Sequence, residues 1–219
     1  MNPMTSRDAN ARFDAAMRTL PLIAILRGLR PDEALAIGGA LAAEGWALIE
    51  VPLNSPQPLR SIEALSGALP TVLVGAGTVL RVAEVHEVHA AGGRLVVAPN
   101  FDAGVVAAAV GLGMVCLPGV ATATEAFAAL AAGATGLKLF PAEMIAPAVV
   151  KALRAVLPAT ARLLPVGGIT PAGMAGYLNA GANGFGLGSA LYRPGQDAAG
   201  VTANARAFVS AWRACPTPP

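Results

Sequence analysis

Thirteen arginines but only two lysines, Lys138 and Lys151, occur in this chain. Lys151 sits in PAVVKALRAVL, a helical pattern that leaves its ammonium in solvent. Lys138 sits mid-strand in GLKLF, where side chains alternate between the two faces. If Leu137 and Leu139 turn toward covering helices, Lys138 must point the opposite way, into the interior. Burial disfavours the ammonium form and lowers its pKa. The resulting free amine is the nucleophile that imine formation with a carbonyl requires. A lysine that merely snorkels from a strand end is the bland alternative. Glu50, in ALIEVPL, faces the interior by the same alternation, with Ile49 and Val51 turned outward. A buried carboxylate needs a cation or a donor, and Lys138 and Arg27 are the candidates. A proton shuttle and a structural ion pair are both open readings for it.

Two glycine-containing strand ends, Gly167-Gly168 and Gly188-Ser189, expose backbone N–H groups that could close on phosphate oxygens. Tight-turn glycine is the alternative there. His86 and His89 lie three apart in EVHEVHAAGG without further ligands nearby, so a solvated helix face is expected and no metal. No G-x-S-x-G elbow, Walker loop or G-x-G-x-x-G after the first apolar run supports a hydrolase, nucleotide or dinucleotide site.

The elements that position these residues follow from glycine and proline punctuation. Apolar runs begin near Leu22, Ala47, Thr71, Leu95, Met114, Gly136, Arg162 and Gly184. They are spaced about 23 residues apart, room for one strand and one helix each. Between them lie alanine-rich helical segments such as PDEALAIGGALAAEG, opened by Pro31, and TATEAFAALAAG, capped by Thr122 or Thr124. Strands apolar on both faces and separated by helices mark a buried parallel sheet. Eight of them at this spacing predict an α/β fold of the (β/α)8 TIM barrel type. One domain over 1–219 is expected, with an extra N-terminal helix at about 6–20 covering the barrel floor, the barrel over 21–214 and a frayed tail over 215–219.

Composition bounds the function classes. With 219 residues, 55% hydrophobic and 13% charged, the chain can bury a core and is no disordered segment. A net charge of +2 is too small to suggest nucleic acid. Mean hydropathy of +0.59 raises the question of a membrane. The uncharged stretches 103–124 and 163–192 are broken by glycine and proline into short strands and helices, however. No membrane partner is expected, and the N-terminus has no signal-peptide pattern. Cys116 and Cys215 build no disulfide framework, which fits a cytoplasmic setting.

Barrels of this type gather chemistry at the C-terminal strand ends. Those ends carry Arg27, Glu50, Asn54, Thr78, Asn100, Lys138, Gly167-Gly168 and Gly188-Ser189. The segment GATGLKLFPA around Lys138 resembles the Schiff-base motif of the 2-keto-3-deoxy-6-phosphogluconate/galactonate aldolases, and GWALIEV around Glu50 resembles their glutamate motif. The likeness runs from about residue 21 to 196. It implies Lys138 as the imine-forming nucleophile and Glu50 as the general acid/base. Thr78, in the motif Gly75-Ala-Gly77-Thr78, would hold the substrate carboxylate and keto end beside Gly77. Arg27 would bind an anion, Gly167, Gly168, Gly188 and Ser189 would form the phosphate loop, and Phe140 and Pro99 would line the pocket.

Phosphogluconate-type members follow the glutamate with Thr-Leu-Arg, whereas this chain has Val51-Pro52-Leu53-Asn54. The Pro-Leu-Asn-Ser-Pro sequence, ILRG at Ile25–Gly28 and GVATATEAF from Gly119 instead resemble the phosphogalactonate branch, which places Asn54 among the substrate contacts. The resemblance implies cofactor-free cleavage of a phosphorylated keto sugar acid to pyruvate and glyceraldehyde 3-phosphate, by a homotrimer. Three rivals remain: the C4 epimer as substrate, a phosphate-binding isomerase or synthase without an imine, and a non-enzymatic sugar-phosphate binder.

Overall fold

Every apolar run becomes a strand, and the segments between runs become helices. The structure, a computed structural model, describes residues 6–215. Helix α1 (Ser6–Thr19) leads into β1 (Leu22–Ile25), α2 (Pro31–Ala43), β2 (Leu48–Pro52), α3 (Pro58–Ala68) and β3 (Leu73–Gly77). Then come α4 (Val82–Ala90), β4 (Leu95–Val97), α5 (Ala103–Gly111), β5 (Val115–Leu117), β6 (Gly119–Val120) and α6 (Ala123–Ala131). The series closes with β7 (Leu137–Leu139), α7 (Pro147–Val156), β8 (Leu163–Pro165), α8 (Met174–Asn179), β9 (Phe185–Leu187) and α9 (Ala198–Ala214). Proline opens α2, α3 and α7, where its missing N–H has no intrahelical partner to lose. Thr122 rather than Thr124 caps α6, accepting from the Glu125 N–H, while Glu125 reaches back to the Thr122 N–H.

All strand pairs are parallel, in an α/β arrangement. The ladders form two arcs, β5-β4-β3-β2-β1-β9 and β6-β7-β8, instead of one unbroken ring of eight. The fifth run, expected as a single strand, is split because Pro118 has no N–H to give a ladder. Between β8 and β9 the pairing thins to a single bridge, Val166 to Gly186. Residues 216–219 of the expected frayed tail lie outside the described residues. No described helix is long and apolar enough to cross a membrane.

Two apolar layers result from strand alternation. Outward residues such as Ile49, Val51 and Val74 pack on Ile37, Leu41, Ile62 and Leu65 of the helices. Inward residues Ile23, Leu48, Leu73, Leu95, Val115 and Leu164 pack with Ala9, Phe13 and Ala16 of α1. These strand residues lie at or next to the strand starts, so α1 covers the end opposite the strand C-termini. Asp14 accepts from Arg162 at 2.8 Å, and the Arg162 guanidinium lies 5.2 Å from the Phe13 ring centroid.

Phe13 has no exposed surface. Phe13→Ala is therefore expected to lower unfolding stability by about 3–5 kcal/mol, the usual range for a buried phenylalanine, read from the midpoint of urea unfolding.

Candidate active site

Strand β7 is short, and its alternation decides where its one polar side chain goes. Leu137 and Leu139 pack with Ala126, Ala129, Val150 and Leu153 on the helix side. Lys138 is thereby turned inward, only 6% exposed. Its Nζ lies 4.4 Å from the Phe140 ring centroid, where the electron-rich face partly compensates for lost water. On β2, Glu50 lies between the outward Ile49 and Val51 and is 2% exposed. A Cβ on Gly77 would fall 1.9 Å from Glu50 Oε2. The carboxylate thus occupies the space a side chain at position 77 would need, and only glycine fits there.

Burial sets the electrostatics. It pushes the Glu50 carboxyl up to about 7, against the opposing pull of Lys138 and Arg27. It lowers the Lys138 ammonium from its ordinary 10.5; Arg27 acts in the same direction, and Glu50 opposes both. The direct Glu50–Lys138 ion pair left open by the sequence is absent among the described residues, whose salt bridges include neither side chain. Glu50 Oε2 is buried without a hydrogen-bond partner, because the carboxylate lies over Gly77 while the amine lies over Phe140. A carboxyl poised near neutrality and free of a fixed partner can take up and return a proton.

Arg27 is exposed at the end of β1, and its Nη1 donates to Asn54 Oδ1 at 2.8 Å. The Gly28 N–H donates to Ser55 Oγ at 2.9 Å, so the loop after β2 grips the loop after β1. Asn54 thereby contacts the arginine of the neighbouring strand. Thr78 follows Gly77 with φ +57°, a left-handed conformation that costs a threonine about 1–3 kcal/mol. Pro99 is half-buried beyond β4; its backbone fills the space beside Gly119, which pairs with Lys138 in register.

A cavity of about 360 Å³ opens at this end, lined by Arg27, Lys138, Phe140, Gly167, Gly168, Gly188 and Ser189 among others. Glu50, Asn54, Gly77, Thr78 and Pro99 are not on its wall; the first four are on or just after β2 and β3. His86 and His89 of α4 do not line it. Gly167 and Gly168 take φ +114° and +62°, open to glycine and strained for other residues.

The cavity wall also includes Glu143, Val166, Thr170 and Arg193, none of which the sequence reading singled out. A Cβ on Gly167 would lie 2.2 Å from Glu143 Oε2, so that carboxylate rests on the glycine pair. For Glu143 and Arg193 the available signal was a charged residue four or five positions beyond Lys138 or Ser189, at the same strand-end face.

A family model described as the KDPG and KHG aldolases matches residues 13–203. The 2-dehydro-3-deoxy-6-phosphogalactonate aldolase of Escherichia coli K12 is 50% identical over 195 residues, 89% of this chain and 95% of the relative. The native KDPGal structure superposes with a TM-score of 0.88 at 50% identity, covering 89% of this chain and 95% of the other. KDPG aldolase from Legionella pneumophila, solved with pyruvate captured as a covalent carbinolamine, superposes with a TM-score of 0.77 at 27% identity. That match covers 89% of this chain and 96% of the other.

Two outcomes follow from the Glu50 environment. A carboxyl whose folded pKa exceeds its unfolded value binds a proton on folding, so its contribution to stability declines as pH rises through that window. Unfolding free energy should therefore carry a falling component between 4.5 and about 7 that Glu50→Gln removes. Lys138 acts in the opposite sense at higher pH. Gly77→Ala should destabilise the protein by about 1–3 kcal/mol, as overpacking does. Most of that loss should vanish in a Glu50→Ala background, as denaturant melts of the double-mutant cycle would record.

Proposed function

The chain belongs to the KDPG and KHG aldolase family and is an aldolase, and we propose that it cleaves 2-dehydro-3-deoxy-6-phosphogalactonate to pyruvate and glyceraldehyde 3-phosphate. The observation that carries this reading is the inward, water-poor Lys138 at a cavity whose far side offers glycine backbone for a phosphate. In the reaction, Lys138 Nζ adds to the C2 ketone. Glu50 relays protons while the carbinolamine loses water, leaving a protonated imine. The C3–C4 bond then breaks, its electron pair flows into the imine to give an enamine, and Glu50 takes the C4 hydroxyl proton as the aldehyde leaves. The enamine is protonated at C3, and water returns to C2 to release pyruvate and the free amine. The imine itself is the electron sink, so the scheme calls for no metal or cofactor.

Thr78, Gly77 and Pro99 would shape the keto-acid end, and Arg27, held by Asn54, would face its carboxylate. Gly167, Gly168, Gly188 and Ser189 would cradle the phosphate, whose binding is remote from the bond that breaks and supplies positioning. The two strand arcs read best as parts of one (β/α)8 barrel; the Val166–Gly186 bridge and the Gly119 N–H of β6 donating to Asn100 O after β4 at 3.2 Å support closure. A single cytoplasmic domain assembled as a homotrimer completes the proposal.

Sodium borohydride with pyruvate should fix one adduct per chain, mapped by peptide mass to Lys138, and Lys138→Ala should show none. Side-by-side kcat/KM on the two C4 epimers then assigns the substrate. A preference for the gluconate epimer would replace the galactonate assignment, and absence of any adduct would remove imine chemistry altogether.

A further inference from the structure

The phosphate end of the cavity has two charged walls. On one side the Glu143 carboxylate lies against Gly167 and Gly168. A phosphate dianion settling on that glycine backbone meets like charge, which must be offset from elsewhere. Of the cations on the wall, Arg27 is tied to Asn54, and Lys138 is the amine that bonds to the ketone. Arg193 remains, on the loop after β9.

That loop is built to hold the guanidinium. The buried Tyr192 hydroxyl donates to Glu33 Oε1 at 2.8 Å. Pro194 fills the space beside Gly28, with its Cγ 2.6 Å from where a Cβ would stand. The Arg193 N–H donates to Gln196 Oε1 at 3.2 Å, and the Gln196 N–H returns to Arg193 O at 3.0 Å. Arg193 Nε donates to Ser189 O at 3.0 Å, which fixes the guanidinium beside Gly188-Ser189. No described carboxylate pairs with it, so its Nη groups remain available to an anion.

We infer that Arg193 clamps the terminal phosphate across the cavity from Glu143, and that this pair sets the preference for phosphorylated over unphosphorylated sugar acids. An uncharged terminal hydroxyl meets no repulsion from Glu143 and gains little from Arg193, whereas a phosphate needs the guanidinium. The inference rests on the aldolase reading above.

The test compares Arg193→Gln with wild type on 2-dehydro-3-deoxy-6-phosphogalactonate and on its unphosphorylated counterpart. The ratio of the two kcat/KM values should fall about tenfold to a hundredfold, the span of one lost charge-assisted contact. An unchanged ratio would overturn the inference, whether both activities fall together or neither does. Pyruvate trapping with borohydride separates the layers: an Arg193→Gln protein that still forms the adduct is folded and imine-competent. Wild type that forms none defeats the aldolase reading instead.

Discussion

An ammonium group taken out of water loses several kcal/mol of hydration unless a counter-charge or a polar partner replaces it. Lys138 is 6% exposed, sits over an aromatic face, and has no carboxylate close enough to form an ion pair. That pressure lowers its pKa and favours the neutral form, and the free amine is what attacks a ketone. The rest of the site is arranged around this imbalance. Arg27 adds a second positive charge that pushes the same way, and Glu50 is kept near enough to be felt but too far to neutralise.

The distance between Lys138 and Glu50 is maintained by small residues. Glycine at 77 lets the carboxylate lie back against β3, and glycine at 119 lets the Pro99 backbone close in beside the lysine strand. A methyl group at position 77 would clash with the Glu50 carboxylate, and one at position 119 with the Pro99 backbone. The strained Thr78 sits at the same spot, a local cost retained where the chain turns away from the carboxylate. At the other end, α1 packs Phe13 against the strand starts, while the cavity beside Lys138 opens at the strand C-termini.

Much of this was legible in the residues. Period-two alternation correctly turned Lys138 and Glu50 inward, since Leu137, Leu139, Ile49 and Val51 had only the helix side to fill. The scarcity of lysine made one position stand out. Other features depended on three-dimensional facts that spacing does not encode. Pro118 cut the fifth strand in two, because a missing N–H outweighs an apolar run. Asn54 became a partner of Arg27 once the loops after β1 and β2 met. Glu143 and Arg193 lie in loops, where side-chain direction follows no period, and only the folded cavity brings them to the glycine backbone.

The measurement nearest the central claim is the titration of Lys138 itself. With only two lysines in the chain, protein labelled with carbon-13 at the lysine ε position gives two resolvable NMR signals. Loss of one signal in Lys138→Met assigns them. The account predicts that Lys138 titrates clearly below 10.5 and moves back toward it when Arg27→Gln removes the neighbouring cation. A Lys138 signal titrating at 10.5 or above would contradict it.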